Sequence, residues 1–133
     1  VEHEADAEAA EHLEVEEGTA VVSCTRIRCA DGEPIAVLSN LMPASMAPTR
    51  EELENGGLYD LLRTQDIIPT TAKQVIGARN ATTREAEQLH ERRRAALLTA
   101  TRITYDQSGR VIEYGQHIYR ASRYTFETSL FSS

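Results

Sequence analysis

Thr19-Ala-Val-Val-Ser-Cys-Thr-Arg-Ile-Arg28, then Asp31-Gly32, then Ile35-Ala-Val-Leu-Ser-Asn-Leu-Met42 is the stretch that decides the fold. Two runs rich in β-branched and apolar residues flank an Asp-Gly pair, and Asp-Gly suits a tight turn whose central residues need positive φ. The stretch therefore reads as a β-hairpin, closed downstream by Pro43, which cannot donate to a strand ladder.

Outward from this hairpin the punctuation is equally local. Upstream, Asp6 to Leu13 reads as a short helix with Asp6 as its N-cap, and Gly18 ends that region. Downstream, Pro43 to Pro48 reads as loop, and Thr49-Arg-Glu-Glu52 is a capping box opening a helix that stops at Asn55-Gly56. Leu58-Tyr59-Asp60-Leu61-Leu62 has helical spacing, and Ala72 to Asn80 alternates as a strand after Pro69. Thr82-Thr-Arg-Glu85 is a second capping box, predicting a helix through about Arg92 with Ala86 and Leu89 on its inner side. Ala95 to Tyr105 and Val111 to Tyr119 read as strands around a turn at Gln107-Ser108-Gly109-Arg110, and Tyr124 to Phe126 as a short last strand.

The two ends of this map match. Ala10-Glu11, Leu13 and Arg26-Ile27 correspond to Ala86-Glu87, Leu89 and Arg102-Ile103 at an offset of 76. One residue is added in the second turn, after which Gly32, Ile35 and Ala44 correspond to Gly109, Ile112 and Ala121 at an offset of 77. Each copy reads helix, strand, turn, strand. An internal duplication of an α-β-β unit is thus expected, its two hairpins joining in one antiparallel sheet of an α+β domain.

At 133 residues, 41% hydrophobic and 26% charged, the chain has the composition of one globular domain over 1–133. No apolar run approaches the length of a membrane span, and no signal-peptide pattern is present, so a cytoplasmic setting and no membrane partner are expected. The opening Val1-Glu2-His3-Glu4 lacks an initiator Met, which suggests a piece of a longer protein. Cys24 and Cys29, five apart, would point to opposite faces of one strand and cannot bridge each other. Of the net charge of −7, eight acids and no Lys or Arg fall in residues 1–25, leaving +1 on the rest. Such a chain is a poor binder of nucleic acid by itself. Arg92-Arg93-Arg94, the only basic run, falls in the last turn of the helix expected there, where cations suit the helix dipole.

Period-two geometry sorts the strand side chains. Arg26 and Arg28 share a face with Val22 and Cys24, about 7 Å apart along the strand. Val111, Glu113, Gly115, His117 and Tyr119 share a face, with Ile112, Tyr114 and Ile118 on the other; Leu38 and Ala36 are the repeat counterparts of Gly115 and Glu113. Paired guanidiniums can grip a phosphate or carboxylate, or can bond Glu113, or can point into water. Glu113 and Tyr119 could receive the hydroxyls of a small polar ligand or sit on a plain solvated strand. His117 has no second His or Cys at ligand spacing, so a structural or solvated His is expected and no metal site. There is no nucleophile elbow, no P-loop and no dinucleotide-binding glycine motif, so neither catalysis nor a cofactor is indicated.

The string Arg26-Ile-Arg28-x-x-Asp31-Gly32-Glu33-Pro34-Ile35-Ala36 resembles the first signature of the UTRA domain, the effector-binding domain of GntR-type transcriptional regulators of the HutC subfamily. Arg102-Ile-Thr-Tyr105-Asp106-x-x-Gly109-Arg-Val-Ile-Glu113-Tyr114, continuing to Tyr119-Arg120-x-x-Arg123-Tyr124-x-Phe126, resembles the second, and Leu58-Tyr59-x-x-Leu62 the family's central helix. The resemblance implies a chorismate lyase-like fold, an antiparallel sheet flanked by helices with the effector between them. It also implies a winged helix-turn-helix DNA-binding domain, absent from this chain, through which a homodimer meets operator DNA. Family effectors are small anionic metabolites: phosphosugars, amino-sugar phosphates or organic acids.

By the same resemblance Arg26 and Arg28 would hold the anion, Tyr59 would stand at the central helix, and Glu113 and Tyr119 would meet the polar body. Two positions depart from the pattern. Leu38 stands where sugar-phosphate binders commonly have an acid, and Gly57 where they commonly have Ser, although backbone amides at the helix start remain for an anion. Ser122 likewise replaces an acid. These departures favour a less hydroxylated anion. The function expected is a non-catalytic effector sensor; the alternatives are a chorismate lyase-like enzyme and a degenerate domain serving only dimerisation.

Overall fold

Two turns of different length account for the one-residue change of offset. The strands β2 (Ala20–Ala30) and β3 (Glu33–Pro43) are joined by Asp31 and Gly32 alone, with φ of 52° and 79°. This is the double positive-φ geometry that an Asp-Gly pair supplies. β5 (Ala96–Asp106) and β6 (Val111–Arg120) are joined by a longer loop. The amide of Asp106 donates to the carbonyl of Arg110 at 2.8 Å, the Asp106 carboxylate accepts from the amides of Ser108 and Arg110, and Gly109 takes φ 80°.

The computed structural model describes residues 1–125, 127 and 129, and of these the side chains of all but Arg50, Leu53 and Tyr59. The remaining elements are β1 (Glu2–Glu4), α1 (Ala7–Leu13), α2 (Arg50–Asn55), α3 (Leu58–Arg63), β4 (Pro69–Asn80) and α4 (Thr83–Gln88). Among the described residues the strands form one antiparallel sheet in the order β1-β2-β3-β6-β5-β4.

The duplicated unit is one strand larger than the sequence reading supposed. β1 pairs Glu2 with Val22 and Glu4 with Ala20; β4 pairs Ala78 with Leu98 and Asn80 with Ala96, the same register 76 residues on. The amide of Ala5 donates to Thr19 and that of Ala81 to Ala95, both at 2.8 Å. Both helices stop on a left-handed residue, Glu14 at φ 54° and His90 at φ 53°, while the next amides reach back to Ala10 and Ala86. The unit is therefore β-α-β-β. β1 escaped the sequence reading because three acidic and imidazole side chains carry no strand pattern.

Other boundaries also move. The αL residue His90 ends α4 near Gln88, so Arg92-Arg93-Arg94 lies in the following turn rather than in a helix. β4 begins at Pro69, three residues before the alternation does. Tyr124 and Thr125 are not in a strand, and Phe126, the end of that expected element, lies outside the described residues. Both cysteines are free thiols.

A shared bulge corrects the face assignment on β6. Between Thr104–Glu113 and Tyr105–Val111 the register slips, leaving two residues of β6 against one step of β5; β3 slips identically between Arg28–Ala36 and Cys29–Pro34. In consequence Val111 packs under α1 with Leu13, Val21 and Tyr114, while Ile112 packs under α3 with Met42 and Leu62. Strict alternation had placed these two residues on each other's faces. Glu113, beyond the bulge, keeps its expected face.

α1 and α4 cover one face of the sheet, burying Ala9, Ala10 and Leu13 at one end and Ala86 and Leu89 at the other. α2 and α3 cross the other face, where Leu62 and Ile112 are fully buried. Each such aliphatic side chain contributes about 1.5–3 kcal/mol of transfer free energy. At the sheet's end, Arg120 is only 7% exposed; its Nη1 donates to the Pro34 carbonyl at 2.9 Å and its Nε to Glu91 at 3.4 Å. Ser122, in place of an acid, donates to the same Glu91 carboxylate at 2.6 Å.

Two stability outcomes follow. Arg120→Ala strands the Pro34 carbonyl and leaves the Glu91 carboxylate with the Ser122 hydroxyl alone, and a loss of about 3 kcal/mol is expected in urea unfolding. Glu85, bonded through both oxygens to Arg79 and closing the Thr82 capping box, has its pKa lowered to about 2. A depressed carboxyl pKa stabilises the fold above the unfolded value, and that contribution disappears as pH falls from about 4.5 towards 2. Glu85→Gln should cost about 1 kcal/mol at pH 7 and flatten the stability profile across that window, read by thermal unfolding.

Candidate functional site

The face beneath α2 and α3 carries the polar residues. Register places Arg26 opposite Leu38, and Leu38 opposite His117; Arg28 lies opposite Ala36, and Ala36 opposite Tyr119. Asn40 lies opposite Gly115, and Gly115 opposite Arg102. These strands and the start of α3 enclose a hollow of about 430 Å³. Arg26, Arg28, Leu38, Gly57, Glu113 and Tyr119, all named from the sequence, line it. Tyr59 is on α3, and its side chain lies outside the described ones.

Six lining residues were not read from the sequence as site residues: Leu58, Asp60 and Gln74, and, on the sheet beside the seam, Asn40, Arg102 and His117. The duplication held the signal. Arg102 is the counterpart of Arg26 at offset 76, and His117 that of Asn40 at offset 77, so an approximate twofold between β3 and β6 carries one set of polar residues onto the other. Arg102 was read only as a mark of the repeat. His117, expected to be structural or solvated, is 9% exposed and borders the hollow.

Among the described residues Arg26 and Arg28 form no ion pair, and both are exposed towards the hollow rather than locked to an internal acid. Glu113 is 1% exposed. Its Oε1 stands 3.9 Å from Arg102 Nη2, and the Asn40 side chain lies beside it over Gly115. Burial raises its pKa, and Arg102, Asn40 and Arg26 oppose that rise. Burial lowers the pKa of His117, and the fields of Arg102 and Arg26 lower it further, so the imidazole is neutral near pH 7. His117 Nδ1 lies 3.3 Å from the Tyr119 hydroxyl, and the Tyr119 ring stacks on Tyr124 at 4.3 Å.

The floor is polar and open. Three buried atoms, Asn40 Oδ1, Glu113 Oε1 and His117 Nε2, have no hydrogen-bond partner. Two of them lie over Gly115, where a Cβ would come within 3.1 Å of His117 Nε2 and 3.6 Å of Glu113 Oε1, with Asn40 Nδ2, rather than Oδ1, at 3.5 Å. At the rim, Gly57 caps α3 without a side-chain bond, and α3 is only six residues long. Its amides are too short a dipole to serve as an anion site alone, so the guanidiniums carry that chemistry. The arrangement can hold an anion at one side and hydrogen-bond an uncharged group on its floor.

The UTRA domain family matches residues 1–125. The HTH-type transcriptional repressor NagR of Bacillus subtilis is 36% identical over 104 residues, which cover 77% of this chain and 43% of that protein. The chain thus spans less than half the length of this curated relative. A crystal structure from Streptomyces coelicolor superposes with a TM-score of 0.88 at 44% identity, covering 96% of this chain and 85% of that one. A GntR-family transcriptional regulator from Enterococcus faecalis superposes with a TM-score of 0.91 at 25% identity, covering 98% and 95%. With the duplicated six-stranded sheet and both Arg-bearing hairpins in place, the chain belongs to the UTRA domain family, as an effector domain of GntR-type transcriptional regulators.

Proposed function

We propose that the hollow is an effector site: a small anionic metabolite docks against Arg26 and Arg28, meets Glu113 and Tyr119, and biases the regulator's DNA binding. The observation that carries this is the pair of guanidiniums, in no ion pair among the described residues, opening onto a lined cavity whose floor has polar atoms without a hydrogen-bond partner. Two adjacent cations beside a hollow repel each other until an anion sits between them, and charge-assisted, bidentate bonds then hold it. The relatives' names as transcriptional regulators support a sensing role over a catalytic one.

In the whole protein the metabolite acts through a DNA-binding region outside this chain, in a cytoplasmic homodimer. A coupling of about 1–3 kcal/mol suffices to change operator occupancy several-fold or more. Leu38 and Gly57 do not close the site. Leu38 lies on the sheet floor between Arg26 and His117, and a Cβ at Gly57 would meet only Asp60 Oδ2 at 3.7 Å. A degenerate, dimer-only domain would have no reason to keep the buried Glu113 unsatisfied above Gly115.

Calorimetry with phosphosugars and small carboxylates tests the reading. The Arg26→Ala/Arg28→Ala double variant should lose at least about hundredfold in affinity for whichever anion binds, since charge-assisted bonds are worth about 1.5–3 kcal/mol each, and should keep its thermal midpoint. Unchanged affinity would reject the site. Gly115→Ala, which sets a methyl group against His117 Nε2, should weaken binding roughly tenfold without unfolding the sheet.

A further inference from the structure

We propose that the sheet face between α1 and α4 is a docking surface for a second copy of this chain, with the acidic α1 lobe of each protomer set against the basic α4 lobe of the other. This gives a place to the homodimer of the preceding reading and rests on that part of it, but not on the anion site.

The face is the reverse of the one bearing the effector hollow, and its two helices leave it largely bare. Six strands about 4.8 Å apart make a layer about 24 Å wide, whereas helices of seven and six residues are each about 10 Å long. Register runs one row straight across the gap: Thr25, Ser39, Gln116, Thr101 and Val75. Gln116 is exposed although β6 is a central strand. Two hollows of about 240 and 530 Å³, one against each helix, share Thr25, Ser39 and Gln116 as their floor. Val75 is 60% exposed, and Ile27, opposite Val37 on the same face, 49%. Hydroxyls and an amide that both donate and accept can pair across a twofold, and the two aliphatic side chains supply apolar area to bury.

The charge pattern names the occupant. Residues 1–25 carry eight acids and no Lys or Arg, whereas the matching residues 77–101 carry five arginines and three acids. The inversion falls on equivalent positions: Glu8, Glu16 and Glu17 become Arg84, Arg92 and Arg93 at an offset of 76. All six are exposed, and the three arginines form no ion pair among the described residues. Glu8 and Arg84 border the two hollows from opposite helices. Within one copy these unlike lobes lie on either side of the groove. A second copy turned face to face about an axis parallel to the groove lays lobe on unlike lobe, twice, and closes an isologous dimer. An axis across the groove would set acid on acid, which is repelled. A partner of one sign throughout, such as nucleic acid, would be drawn to one lobe and pushed away by the other.

Two charge-reversed chains test the contact by sedimentation equilibrium: Glu8→Lys/Glu16→Lys/Glu17→Lys and Arg84→Glu/Arg92→Glu/Arg93→Glu. The parent chain should dimerise, and each variant alone should have a dimer dissociation constant at least about tenfold higher. For the first variant this is expected even though its smaller net charge weakens general repulsion between copies. Mixed in equal amounts, the two variants should form a heterodimer about as tight as the parent dimer, because each lobe again faces its opposite. Variants that dimerise as the parent does would overturn this surface and leave the homodimer to another contact, such as the open edge of β4. A mixture that stays monomeric would overturn the surface too, and a monomeric parent would overturn both surface and homodimer. Each of these results leaves anion binding at Arg26 and Arg28 standing, since none of the substituted residues lines that hollow.

Discussion

The antiparallel seam between β3 and β6, from Ala36–Tyr119 to Leu41–Tyr114, is the contact on which the molecule depends. Among the described residues it joins two β-α-β-β units that share no other strand ladder, and it converts two half-sheets, each with an open edge, into one six-stranded layer. Because the units meet about an approximate twofold, whatever one hairpin places beside the seam the other places across from it. Arg26 and Arg102 are related in this way, as are Asn40 and His117. The hollow exists because the seam brings these residues to one face. A one-residue slip would send the whole set to the opposite side of the sheet.

The bulge carried by both copies is the second constraint. It lets Ile112 and Glu113 occupy the same face, one closing the core beneath α3 and the other bordering the hollow. The transition from apolar packing to polar floor is thereby made within a single residue step. The arrangement has a cost in the empty state. Glu113 is fully buried beside one guanidinium, with an oxygen left unsatisfied, and desolvation raises its pKa. A carboxylate in such a place is weak evidence for stability and better explained by what it can receive.

Much of the fold was legible in the chain because its signals are local. Asp31-Gly32, the Thr49 and Thr82 capping boxes and the Asp6 cap are read within four residues, and each is present. The duplication was legible because it is a comparison of the chain with itself. β1 was not, since its three residues become a strand only by docking on Val21 and its neighbours. The end of α4 was not either, because a left-handed His90 is set by Leu89 turning into the core. Of the site, the residues along single strands could be sorted by alternation, Arg26 with Arg28 and Glu113 with Tyr119. Arg102, Asn40 and the part played by His117 could not, since they join the site only through pairing across three ladders.

The amino-acid sequence by itself determined the elements, the repeat, the family and the side chains available to one strand face. Those follow from steric and hydrogen-bonding preferences acting over a few residues. The tertiary structure alone decided that the guanidiniums of two distant hairpins share one hollow, that Val111 and Ile112 exchange faces, and that Asn40, Glu113 and His117 meet over Gly115. Register and burial are properties of the assembled sheet, and desolvation, which sets the state of Glu113 and His117, acts only once water has been excluded.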